Sequence, residues 1–366
     1  MATMSQPLPA RQQRVTENVK ESFPADSLRF DTIYAVELCI FVVGLFLDGW
    51  AHNHGKVDNT FFTPWHAILY GSVLLIAVTL AGTHVLNTRK GYSVWRALPE
   101  GYTLSLIGVI LFFIGGGFDF VWHSLFGFEA NLETLLSPAH MLLATSGVLF
   151  VTGPLRAVWH RRGGQGWRLL FPAIVSLTVI FSLFTFFTQY ANFWANPTFI
   201  TGTTAPQEYN TSYLMGVSGV VSVLIATALM MGVLLLAMRR WPLPFGTLTF
   251  MMTANFALMY WMRNRGDSFE PLLMGAGILA GVLGDGLLAW LKPSAERPIA
   301  VRAFAFLFPV FLALLYYAAV IGTAGTWWKV HLWLGTAFSA GVVGLFLSYL
   351  AIPPAIAIRD VAGADA

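Results

Sequence analysis

Apolar residues run along this chain in blocks about as long as a bilayer is thick. A helix needs roughly 20 apolar residues to cross the hydrocarbon core. Such blocks fall at 33–51, 63–85, 103–124, 137–159, 169–192, 212–237, 243–262, 270–291, 301–322 and 327–350. Read as helices, they predict about ten membrane spans and an all-α polytopic membrane protein. A polar, mixed-charge segment (1–32) precedes them and a short tail (353–366) follows. Gly277-x-x-x-Gly281 predicts one close contact between helices.

Composition supports the pattern. Of 366 residues, 56% are hydrophobic and 11% charged, against roughly 25% charged in a soluble domain. The net charge of +3 is modest, and no basic cluster is interleaved with aromatics, so nucleic acid is not an expected partner. The bilayer is. Lys and Arg then set the orientation. With the N-terminus inside, 17 of the 21 lie in inner segments, and only Lys56, Arg263, Arg265 and Lys329 lie outside. That bias predicts both termini on the inner side, with a bacterial inner membrane as the natural setting. The single cysteine, Cys39, permits no internal disulfide and makes no thiolate metal site.

The polar residues inside this apolar frame repeat. Asp48-Gly-Trp-Ala-His52 is followed by Thr63-Pro64-Trp-His66, and Asp119-Phe-Val-Trp-His123 by Ser137-Pro138-Ala-His140. Asp48 and Asp119 are 71 residues apart. Spans 1–2 and 3–4 (33–159) are thus a duplicated helix pair, and the six spans of 160–352 carry no third copy. Residues i and i+4 share one helical face, so each Asp and its His can touch one ion. Thr63 and Ser137 read as N-caps, with proline in the first turn. Each later His therefore opens the next helix beside the end of the previous one. Two His and one carboxylate suit copper, iron or zinc. By the charge bias all six residues face the outer, periplasmic side. An aspartate within a span costs about 2.5–3.5 kcal/mol to insert, and its recurrence in the same order at the same depth points to metal or proton chemistry.

Other residues extend the picture. His331, at the start of the last span, and Glu129 and Glu133, in the loop between spans 3 and 4, are candidates to complete the cluster. Asp285 and Glu37 are intramembrane carboxylates that form a candidate proton or ion path inward. His54 reads as a solvated loop residue. Arg263 and Arg265 form ion pairs with Asp267 and Glu270 or attract an anion, and Gln189, Tyr190 and Asn192 wall the cluster's depth. Met251, Met252, Met259 and Met262 read as packing.

The two strings, Asp-x-x-x-His then Thr/Ser-Pro-x-His, resemble the copper-ligand region of the C subunit of particulate methane and ammonia monooxygenases. The resemblance covers roughly residues 40–150. It implies copper at Asp48, His52 and His66, a second copper site at Asp119, His123 and His140, and membership of a larger complex. The expected activity is oxidation of a small apolar substrate arriving from the bilayer. Two other readings stay open on the residues alone: a metal-ion or proton-coupled transporter using the outer cluster and Asp285, and a zinc-dependent membrane hydrolase. So does the question of whether the two copies build one site or two.

Overall fold

Hydroxyl residues and prolines set where several of the helices begin. Ser27 caps α1 (Leu28–Asn53) by accepting the Phe30 N–H at 3.2 Å. Thr63 caps α2 (Pro64–Arg89) and Ser137 caps α5 (Pro138–Val151) in the same manner, with proline as the first helical residue of each. Between them lie α3 (Thr103–Phe126) and a single turn, α4 (Glu133–Leu136). The chain continues through α6 (Gly153–His160), α7 (Trp167–Phe187), α8 (Tyr209–Arg240), α9 (Thr247–Arg263), α10 (Glu270–Leu291), α11 (Pro298–Thr323) and α12 (Val330–Ala351). This computed structural model describes residues 19–56, 62–127, 132–161, 163, 165–264, 266 and 270–354. Among them the only bridge pairings are isolated, Lys20 with Tyr92 and Thr201 with Thr326.

Nine helical segments among the described residues, α5 and α6 (Pro138–His160) counting as one, are long and apolar enough to cross a membrane. They match nine of the ten predicted blocks, and the protein is an all-α polytopic membrane protein. The tenth block, 243–262, is α9, which is only 17 residues long. That is about 25 Å of helix, slightly short for a hydrocarbon core of about 30 Å. The predicted fourth span is broken into α5 and α6. Thr152 turns its hydroxyl back onto the Val148 carbonyl at 2.7 Å, and Gly153-Pro154 follows. Proline has no N–H to continue the ladder. The predicted fifth span ends at Phe187 rather than 192, because the chain passes into a 3-10 turn at Gln189–Ala191.

The helices form two apolar cores, and α7 and α9 contribute to both. Val175, Val179, Leu183 and Phe186 of α7 pack with α1, α2, α3 and α5. Leu170, Ile174, Leu177 and Phe181 pack with α8 to α12. One core is thus built mainly by the duplicated helix pairs and the other mainly by the later helices. Met251 and Met252 lie in the second core, Met259 and Met262 in the first, all four buried. They are packing residues. Gly277 and Gly281 let α10 close on α9: a Cβ at Gly277 would stand 2.0 Å from the Phe256 ring, and one at Gly281 2.9 Å from Thr249 Cα.

Candidate metal centre

Both copies of the repeated string are built alike. Asp48 and His52 sit one turn apart near the C-terminal end of α1, and His66 lies in the first turn of α2. His52 Nε2 is 3.8 Å from Asp48 Oδ2, and His66 Nε2 is 3.5 Å from Asp48 Oδ1. In the second copy His123 Nε2 is 3.4 Å and His140 Nε2 3.7 Å from Asp119 Oδ1. The ligand atoms of each trio lie within 4.8 Å of one another. Two donors held about 2 Å from one ion at a tetrahedral angle stand about 3.3 Å apart. Each trio could therefore hold one ion if its ligand atoms drew closer together.

The supporting hydrogen bonds orient the rings. Thr63 Oγ1 and Ser137 Oγ accept the N–H of His66 and His140, each at 3.2 Å. Ser137 Oγ also meets His140 Nδ1 at 2.9 Å. His123 Nδ1 lies 3.2 Å from the carbonyl of Gly127. A carbonyl only accepts, so Nδ1 carries the proton and donates. Gly127 presents that carbonyl by turning the chain at φ +80°, a conformation that favours glycine.

His123 Nε2 and His140 Nε2 both face the Asp119 carboxylate. The facing atom, Asp119 Oδ1, is buried and has no hydrogen-bond partner, and Asp48 Oδ1 is in the same condition. A buried carboxylate oxygen without a hydrogen-bond partner, beside two imidazole nitrogens, is a donor set that a cation would satisfy. The donor chemistry and the orphaned carboxylate oxygens thus fit a metal ion in each trio, and two such groups can hold one.

The two trios are neighbours. Asp48, His52, His66, Asp119 and His140 all line one cavity of about 590 Å³. Phe41, Leu45, Leu69, Phe112, Leu143, Leu183 and Phe186 make the rest of the cavity largely apolar. Tyr70, one turn beyond His66 on α2, also lines it; the sequence pattern does not single this residue out, although its i+4 spacing from a ligand is visible there.

Polar residues gather beside the ends of α1 and α9. Arg263 donates to Asn53 Oδ1 at 2.6 Å and to Asn196 Oδ1 at 3.1 Å, and lies 3.5 Å from Gln189 Oε1. Arg263, Gln189 and Tyr190 line the cavity as expected; Asn53 and Asn196 join them without any signal in the sequence. Asn192 is turned away from it, accepting the Trp194 and Ala195 N–H groups. His54 is no ligand, since its two ring nitrogens face the carbonyls of Trp50 and Asn264 at 2.8 and 2.9 Å.

The outlying candidates do not join the trios. His331 is exposed at the start of α12, which packs against α8 and α11. Glu133 is exposed on α4 and is in neither trio. Glu129, Arg265 and Asp267 lie outside the described residues. Asp285 and Glu37 are not brought together. Asp285 is fully buried between α10 and α9, where its carboxylate accepts the N–H groups of Leu248 and Thr249 and the Thr249 hydroxyl. Glu37 lies on α1 in the other half and accepts the Thr79 hydroxyl at 2.5 Å. No known protein family, no curated protein and no solved structure matches this chain.

Proposed function

We propose that this protein is a membrane metalloenzyme that holds a copper ion in each Asp/His/His trio and oxidises a small apolar substrate taken from the bilayer. The observation that carries this reading is the pair of trios opening onto one largely apolar cavity, each with a buried aspartate oxygen left for a cation. Asp48, His52 and His66 would hold one ion, and Asp119, His123 and His140 the other. Two imidazoles and a carboxylate leave coordination positions open. Bound copper would supply electron transfer to dioxygen.

The chain's own groups do the rest. Ser137 and the Gly127 carbonyl fix ring orientation. The phenylalanines and leucines of the cavity exclude water and accept a hydrocarbon. The ligand pattern resembles that of the C subunit of particulate methane and ammonia monooxygenases, which supports copper over zinc or iron and a place in a larger complex. The lysine and arginine bias supports an exterior-facing site in a bacterial plasma membrane.

Elemental analysis of purified protein, with electron paramagnetic resonance of Cu(II), tests the assignment. Copper is expected in wild type and absent after His52→Ala combined with His123→Ala. Equal metal in that double variant overturns it. A second reading, passage of a metal ion, is favoured by one observation: Glu37 Oε2 is buried on the same helix as Asp48 and has no hydrogen-bond partner. Uptake of copper or zinc into proteoliposomes that is lost in Glu37→Gln would select it.

A further inference from the structure

The two trios share their ligand types but not their access. All three residues of the first, Asp48, His52 and His66, line the cavity; of the second, Asp119 and His140 line it and His123 does not. The His52 side chain is 32% exposed and that of His123 8%, and Asp48 is 11% against 3% for Asp119. His66 and His140 are 12% and 21% exposed, so His140 is the one ring of the second trio open to the cavity. Support of the rings differs in the same sense. His123 is held at Nδ1 by the Gly127 carbonyl, and His140 Nδ1 meets the Ser137 hydroxyl. Among the described residues no hydrogen bond holds the His52 ring, which faces Asp48 alone. Packing adds to the contrast. Tyr70 of α2 crosses onto α3, where a Cβ at Gly116, one turn before Asp119, would stand 2.6 Å from both its Cε1 and its Oη. A ring from the first copy thus fills space beside the second. At the first trio, Gly49 admits the Phe186 ring of α7 next to Asp48; a Cβ there would stand 2.5 Å from Phe186 Cε2. Phe186 lines the cavity, so the apolar wall reaches the first trio.

We propose that the two sites divide the work. The ion held by Asp48, His52 and His66 exchanges, and takes a small lone-pair donor from the cavity into its open position. The ion held by Asp119, His123 and His140 is enclosed, bound more tightly and closed to such ligands. This rests on the metal assignment above. Two imidazoles and a carboxylate leave positions open at either ion, so the ligand set alone does not distinguish the sites. Access does: a ligand in the cavity meets all three residues of the first trio, with the Phe186 wall beside them, but only part of the second. Affinity follows from support. A group that orients a ligating histidine is worth about 10–100-fold in metal binding, and each ring of the second trio has one while His52 does not. The first trio is thus the site of substrate chemistry, and the second keeps its ion.

The test loads the full chain in detergent with Cu(II). Azide, a small anionic ligand, is added while the electron paramagnetic resonance signal is recorded, and extraction by EDTA is timed in parallel. In wild type azide should alter half of the signal, and EDTA should remove copper in two phases of equal size whose rates differ by about tenfold or more. His140→Ala, which leaves the first trio whole, should keep the azide-sensitive, fast-leaving ion, and His66→Ala the other. Ser137→Ala, a milder change that leaves every ligand in place, should speed the slow phase and leave the fast phase unchanged. Azide that alters all or none of the signal, or a single extraction rate, overturns the division while leaving two metal sites in place. So does an azide-sensitive ion in His66→Ala alone, or a Ser137→Ala effect confined to the fast phase. Absence of copper from wild type overturns the metal reading and the division with it.

Discussion

Asp285 of α10 caps the start of α9 by taking both polar groups of Thr249, the N–H at 2.9 Å and the hydroxyl at 2.6 Å, on one carboxylate oxygen. Its other oxygen takes the Leu248 N–H at 3.0 Å. The first N–H groups of a helix have no partner within it, and α9 starts after Gly246, which has no side chain to offer. A carboxylate from the next helix supplies what the local sequence lacks.

Asp285→Ala should therefore act on stability. It leaves buried N–H donors without an acceptor, and hydrogen bonds to a charged group contribute about 1.5–3 kcal/mol each. Thermal unfolding in detergent should show a clear fall in midpoint, with metal content unchanged in the protein that remains folded. Full stability combined with lost metal would assign Asp285 to the ion instead.

Metal stoichiometry should follow the duplication. Wild type should bind two ions per chain, His66→Ala and His140→Ala one each, and the combined variant none. Elemental analysis of each variant checks this. Loss of both ions in either single variant would mean one shared site.

Ser137 both caps α5 and meets the His140 ring. Ser137→Ala should lower stability by about 1 kcal/mol through the lost cap. It should also weaken the ion held by Asp119, His123 and His140 by about tenfold or more, the usual effect of removing a group that orients a ligating histidine. Ser137→Thr, which keeps the hydroxyl, should restore most of both. A copper titration alongside thermal unfolding separates the two effects.

Helix approach gives a paired prediction on α12. A Cβ at Gly344 would stand 1.9 Å from the Ala305 carbonyl of α11, a backbone atom that cannot swing aside. Gly344→Ala should destabilise by about 1–3 kcal/mol. A Cβ at Gly335, on the same helix, would meet nothing within 4 Å. Gly335→Ala should be neutral or stabilise by up to about 1 kcal/mol. Thermal unfolding of the two variants side by side checks this, and equal effects would contradict the close α11–α12 contact.

Much of the fold was legible because its determinants are local. Apolar blocks near bilayer length read as helices wherever they fall, and Thr63-Pro64 and Ser137-Pro138 mark helix starts by the geometry of hydroxyl caps and proline alone. The Asp48–His52 and Asp119–His123 pairs were readable because helical periodicity puts residues four apart on one face. The break at Thr152 was less legible, since the apolar block continues through Gly153-Pro154 while the hydrogen-bond ladder does not.

By itself, then, the sequence determined the helices, the caps and the two ligand strings, each a consequence of period, proline and hydroxyl chemistry within a few residues. Only the tertiary structure decided that the two strings face one cavity, that Tyr70 reaches from one copy into the gap left by Gly116 of the other, and that Asp285 caps a helix. It also left His331 apart. The physical reason is common to all four: which residues meet depends on how helices far apart in sequence pack, and no periodicity along the chain records that.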